Sequence, residues 1–397
     1  MKKSSRKNIR PIVGTVLGAV ALATVALTGT AQAGVKVYED KESGKFVEIG
    51  ARLQMQYHLA DPDGSSSSDS VFFRRLRPYI AGSVHKDWLG KFQWDMGKAE
   101  DANELAVKDA YVQYKGIDNL TVTIGNAQFP FSREDMTSSK AQQLVERTFV
   151  GDHDFGTPEL NAGVFLHYTA LDKTVELHVA GASADIDPDA SKLDFDTPIN
   201  ANSDFNEGVM LGGRVDFHPL GKASFDQGDF KGEPKATVSL AAYTWSNDDD
   251  NNTYTTAGAS TSASKADVDS VTGVEVSGGF RGHGLSVDAQ YNVFAAETVD
   301  TAFTGGIFKN GETSLTNYAV EGGYMVVPKT FELVAGYEAM DADNYTEVWK
   351  RTSIGANYFF VGKKDIKLQT TYRMGENLKG QANNDANELF VQMQYVF

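Results

Sequence analysis

From Val47 to Leu59 the chain alternates. Val47, Ile49, Ala51, Leu53, Met55, Tyr57 and Leu59 take the odd positions, with Glu48, Gly50, Arg52, Gln54, Gln56 and His58 between them. Side chains of a β-strand point to opposite faces in turn, so the segment predicts a strand with one apolar and one polar face. "KFQWDMG" (91–97), "LSVDAQYNV" (285–293) and "IKLQTTYRM" (366–374) repeat the pattern. Sixteen such segments are centred near residues 53, 78, 94, 110, 123, 166, 178, 213, 240, 275, 290, 321, 335, 355, 369 and 392.

The connections alternate too. Short links, "VHKD" (84–87), "KGID" (115–118), "LDK" (171–173), "RGHG" (281–284), "VPK" (327–329) and "VGKKD" (361–365), take turns with long polar ones. The long ones lie at 61–70, 128–160, 183–207, 246–268, 298–313 and 376–386, and the link 218–233 is long where a short one is due. A soluble sandwich has fewer strands and no such order of loop lengths. An even number of strands of about ten residues, with long loops on one side, predicts an all-β, sixteen-stranded antiparallel transmembrane β-barrel. The final "NELFVQMQYVF" puts Leu389, Val391, Met393, Tyr395 and Phe397 on one face, fit to close the sheet against the first strand. That ending resembles the signal read by the barrel-assembly machinery of the outer membrane.

The N-terminus reads differently. Lys2, Lys3, Arg6, Lys7 and Arg10 precede an apolar run from Ile12 to Leu27 and the small-residue site "AQA" (31–33), so residues 1–33 are expected to be a cleaved signal peptide. Residues 34–45 are then a periplasmic N-terminal segment and 46–397 the barrel. Without those five positive charges, 32 Lys and Arg face 53 Asp and Glu, a net charge of −21. Such a charge excludes nucleic acid as a general partner. There is no cysteine, hence no disulfide and no thiolate metal site. The Asp/Asn run 247–252 lacks the ligand spacing of a calcium loop. "DHD" (152–154) offers metal-binding side chains without a recognisable motif, and no nucleophile elbow, His-Glu-x-x-His or phosphate-binding glycine loop is present. Neither an enzyme nor a resident cofactor or metal is expected.

Two stretches carry a resemblance: "FFRRLRPYIAGSVHKDWLGKFQWD" (72–95) and "IGNAQFPFSREDMTSSKAQQLVER" (124–147). Together with "VKDAYVQY" (107–114) and the closing "VQMQYVF", they resemble the phosphate-selective porin O and P family. The resemblance implies a homotrimeric outer-membrane porin, surrounded by lipid, that passes small anions such as phosphate. It also implies that the third long loop, here 128–160, folds inward as a constriction. Arg74 and Arg75 match the paired arginines of the anion site.

Parity supports part of that. Arg75, Arg77 and Tyr79 face the lumen, as does Arg52 on the neighbouring strand, because charge aimed at lipid is costly. Arg74 has lipid-side parity, which places it at the rim or requires a bulge near Pro78. Within the loop, Arg133, Lys140 and Arg147 are the cations, and Ser138 and Ser139 neutral donors. Parity turns ten cations and eleven acids inward, and "SREDM" (132–136) puts two acids after Arg133. Two other readings therefore stay open. One is a general, or cation- or sugar-conducting, diffusion porin, with the arginines pairing loop acids such as Glu134 or Asp135. The other is a non-conducting structural or adhesion barrel.

Overall fold

The computed structural model describes residues 34–97, 105–196, 207–247 and 264–397. The expected signal peptide and most of the polar stretch 246–265 lie outside the described residues. Sixteen long strands are found among the described residues. They are β1 (Lys45–Pro62), β2 (Ser68–His85), β3 (Trp88–Asp95) and β4 (Ala106–Ile117). Next come β5 (Leu120–Gln128), β6 (Leu160–Ala170), β7 (Val175–Ile186) and β8 (Glu207–Phe217). Then follow β9 (Lys235–Asn247), β10 (Val268–Gly282), β11 (Leu285–Thr298) and β12 (Glu312–Val327). The last four are β13 (Phe331–Asp341), β14 (Trp349–Phe359), β15 (Ile366–Glu376) and β16 (Ala386–Val396). Each pairs antiparallel with the next, and β16 returns to β1 with Leu389 opposite Leu59 and Val396 opposite Arg52. Phe397 completes the seam by exchanging backbone hydrogen bonds of 2.9 and 3.1 Å with Ala51. The sheet is closed.

Burial is inverted relative to a soluble protein. Gln54, Glu275, Asn292, Asn317 and Gln369 are buried on the inner face, while Val209, Leu211, Leu240, Val276 and Val320 are exposed on the outer. Val215, Leu240, Val276, Tyr291 and Tyr318 stand directly opposite one another from β8 to β12, forming a continuous apolar band. At the short-turn end Trp88 packs on Tyr114 and Tyr358 on Phe360, with centroids 4.8 and 5.0 Å apart. Aromatic rings above an apolar band are what a bilayer interface selects.

The structure departs from the alternation in three places. First, the segment before the barrel forms a short strand, Val35–Asp40, hairpinned onto β1 with Val35 opposite Ile49. It continues the line of β16 beyond Phe397. Second, β2 carries a bulge at Arg74 itself, since Gln54 pairs with Arg75 and Met55 with Phe73. Phe73 and Leu76 both keep outward positions, so Arg74 and Arg75 both turn inward. Pro78 stays in register opposite Ala51. Third, the over-long link 218–233 tucks into the barrel, where Ala223, Gln227 and Asp229 are buried.

Candidate pore constriction

Between β5 and β6 the chain leaves the sheet and crosses the lumen. Ser132 caps the short helix Arg133–Met136 through a 3.2 Å bond from the Asp135 N–H. Aromatic side chains fix the loop's depth. Phe129 and Phe131 pack edge-on to Tyr243, and Phe149 and Phe155 on Trp349. Inward-facing glycines make room: a Cβ on Gly279 would lie 2.0 Å from Arg133 Nη2, and one on Gly323 2.2 Å from Gln143 Nε2. Backbone groups are then tied to the wall. Arg133 N–H donates to Glu275, Val145 N–H to Thr371, and Phe149 N–H to Glu338 at 2.6 Å. From below, the inward link 218–233 bonds Gln227 N–H to the Ala141 carbonyl.

The two sides of the loop differ in charge. Against β8–β11, every guanidinium has a carboxylate: Arg214 with Asp216 and Glu275, Arg133 and Arg281 with Asp288. That side is filled. On the other side, facing β1–β3 and β14–β16, space remains: a chamber of about 440 Å³ between Lys140, Asp226 and the 361–365 turn, and two chambers along the arginines. Of these two, one, of about 440 Å³ at the long-loop end, is lined by Arg74, Arg75, Arg147, Arg351 and Arg373 against Glu146, Asp152 and Glu388. The other, of about 220 Å³ at the short-turn end, is lined by Arg52, Lys91, Lys140, Tyr79 and Glu48. Gln54 lies between them, donating to the Ser139 carbonyl at 3.3 Å and accepting from Arg75 at 3.1 Å. Arg52 donates to Ser138 at 2.9 Å and also to Ser139.

Arg52, Arg75 and Lys140 have no ion-pair partner among the described residues. The Nε atoms of Arg52, Arg75, Arg147 and Arg373 are buried without a hydrogen-bond acceptor there. Burial, then the charges of Arg52 and Lys91, push the Lys140 ammonium below its ordinary pKa of 10.5. Glu146 shows the converse. Burial would raise it, but Arg74 and Arg75 outweigh that and hold it down at about 2. Around the two chambers along the arginines, arginines and lysines outnumber carboxylates, eight to four.

The description "Phosphate-selective porin O and P" matches residues 47–397. The chain belongs to this family. Solved structures share the fold at low identity. The outer-membrane channel DcaP of Acinetobacter baumannii aligns with TM-score 0.58 at 16% identity, over 91% of this chain and 100% of that one. The trimer form of OmpT of Vibrio cholerae gives 0.56 at 14%, over 89% and 99%. An anion-selective porin from Comamonas acidovorans gives 0.57 at 10%, over 89% and 100%. An uncharacterized protein of Aquifex aeolicus is 30% identical over 139 residues, and the match spans 27% of this chain and 33% of that relative.

In this porin, eight of the nine residues singled out in the sequence lie on the open side. Arg74 grips Glu146 with two bonds of 2.8 and 3.1 Å, and Arg77 holds Asp95 at 2.6 Å. Arg52, Arg75, Ser138, Ser139 and Lys140 form the line between the chambers. Arg147 faces the larger chamber while holding Asp135 at 3.0 Å. Arg133 is the exception, buried on the filled side against Asp288. Neither Glu134 nor Asp135 meets the β2 arginines. Glu134 is held by Thr148, Asp135 by Arg147 and Gln128, and the acid that reaches β2 is Glu146. Strand parity turns Arg351 and Arg373 inward, and the closed ring brings them to face Arg74 across one chamber. "DHD" lies at the outer rim, where His153 meets Asp194 at 2.5 Å.

Proposed function

We propose that this porin is an outer-membrane diffusion channel for small anions such as phosphate, working as a homotrimer. The observation that carries the reading is the line of Arg75, Arg52 and Lys140, cations without carboxylate partners among the described residues, joining two chambers on the open side of the loop. A guanidinium presents a planar fork of N–H donors that fits a phosphate or carboxylate edge. Several such sites in sequence let an anion exchange its hydration shell stepwise and leave again, which passive conduction requires. Outer-membrane placement and a trimer agree with the family, with the trimer form of the Vibrio protein and with the aromatic-edged apolar band. The strand ending at Phe397 is what barrel-assembly machinery would engage. Anion selectivity, the property named for the Comamonas porin, follows from the positive field at Lys140.

One observation favours a narrower version. Arg74 is committed to Glu146, so it acts as the loop's tether, and anion contact falls to Arg75, Arg52 and Lys140. Reversal potentials across a KCl gradient test both versions. Arg75→Ala is expected to lower the anion-to-cation permeability ratio and weaken block by phosphate. An unchanged ratio at low salt in correctly assembled protein would leave a general diffusion porin.

A further inference from the structure

A second cluster of chemistry lies on the inner wall near the short-turn end, away from the arginine line. His167 on β6 and His178 on β7 stand directly opposite one another, with rings stacked 4.3 Å apart. Glu176 lies two residues before His178, and its carboxylate is 3.2 Å from His167 Nε2 and 3.9 Å from His178 Nε2. One ligand atom from each of the three falls within 4.8 Å of the others. His218, just past the end of β8, brings Nε2 to 3.6 Å from the same carboxylate.

His218 makes this more than a polar patch. It is 3% exposed, and its Nε2 has no hydrogen-bond partner. Its Nδ1 lies 2.8 Å from Thr237 Oγ1, and that hydroxyl also donates to the Ala223 carbonyl and accepts the Ala223 N–H. Thr237 thus holds the ring through Nδ1 and leaves Nε2 turned towards the cluster. An imidazole oriented through its second nitrogen is how metal-binding histidines are set. The Nε2 of His178 is likewise buried without a hydrogen-bond partner. Four-coordinate zinc with bonds of about 2.0 Å separates neighbouring ligand atoms by about 3.3 Å; Glu176 Oε2 lies 3.2 and 3.9 Å from the Nε2 atoms of His167 and His178, and His218 approaches the other oxygen, Oε1, at 3.6 Å.

We propose that His167, His178, His218 and Glu176 form a site for one divalent transition metal of the imidazole-preferring class, zinc being the representative ion. Lys222 is its built-in competitor. Its ammonium bonds both oxygens of Glu176 at 2.9 and 2.7 Å, in a cation's place, while the side chain is 38% exposed. Asp216, 3.4 Å from His178 Nε2, adds negative charge beside the site and is itself held by Arg214.

The test is zinc binding to the full-length porin in detergent, stripped with chelator and titrated with zinc chloride alone. One zinc per protomer is expected, weakened at least tenfold in His167→Gln and in His178→Gln. Tighter binding is expected in Lys222→Met, an effect that misfolding does not produce. Cobalt substitution should give the intense visible bands of a four-coordinate ion, lost in the same two histidine variants. Zinc binding that survives both histidine substitutions unchanged would overturn the assignment. So would binding abolished by Asp152→Asn/His153→Gln, which would place the metal at the outer rim.

Discussion

Arg74 and Arg75 are adjacent in sequence yet face the same way, because one extra residue in β2 lets two side chains turn inward where one would. Their roles differ: Arg74 is neutralised by Glu146, and Arg75 has no carboxylate partner among the described residues. One charge at about 8 Å, in an effective dielectric of about 40, contributes on the order of 1 kcal/mol, or about a fivefold change in a permeability ratio. Arg74→Ala/Arg75→Ala should therefore lower the anion-to-cation ratio at least about fivefold, and Glu146→Gln should raise it, both read from reversal potentials at low salt. His153 supplies a pH dependence. Burial lowers its pKa, but the Asp194 carboxylate outweighs this and raises it from 6.5 to about 9. Its proton is held more tightly folded than unfolded. The stabilisation is complete below the ordinary value and is lost as pH rises through about 9. Asp152, Asp154 and Glu159 lie around the same imidazole, and Lys192 shares its Asp194 partner at 2.7 Å. Reversal potentials measured through that range should show anion preference falling, with a smaller fall in His153→Gln.

At the scale of elements, the sixteen strands were legible because a lipid-facing wall enforces a period of two over ten or more residues. Tyr291 and Val293 could hardly be read otherwise. The bulge was not legible. A period of two places residues on one side or the other and cannot register an insertion, so Arg74 read as lipid-facing although Pro78, the suspected bulge, is regular. The inward loop 128–160 has no period at all. Nothing in "FPFSREDMTSSK" tells that Arg133 meets Asp288 while Lys140 meets the opening, since those contacts are made across the barrel. The link 218–233 announced itself only as a break in the loop order; its inward path follows from burying Ala223 and Gln227 under the loop. The close approach at Gly279 gives a test at this scale. Gly279→Val should crowd Arg133 and push the loop towards the open side. Lower single-channel conductance is expected with the barrel still formed, at the roughly 1–3 kcal/mol typical of overpacking.

For the whole molecule, a formal charge of −16 coexists with a positive path because the field in a narrow gap reflects nearby charges. The effect is local and screenable. Raising ionic strength from 0.1 to 1 M shortens the screening length from about 10 to about 3 Å, so the difference between wild type and the double arginine variant should shrink in molar salt. Mass measurement in detergent should give three copies per particle; a single copy would remove the trimer and leave the barrel intact.

The anchoring of the inward loop also dictates an order of events. Its wall partners Glu275, Glu338 and Thr371 come 142, 189 and 226 residues after the loop residues they bind. Contacts so distant in sequence form late, because the chain between them must first be ordered. The closing pair β16–β1 is more distant still, its partners running from Ala386 opposite Pro62 to Val396 opposite Arg52, so every one of these anchors is available before the sheet closes, and the barrel can close around a loop already in place. Substitutions that loosen the docked loop, such as Phe149→Ala, which removes its packing on Trp349, should sensitise cells to bulky toxic solutes while the barrel shows normal heat-modifiable mobility.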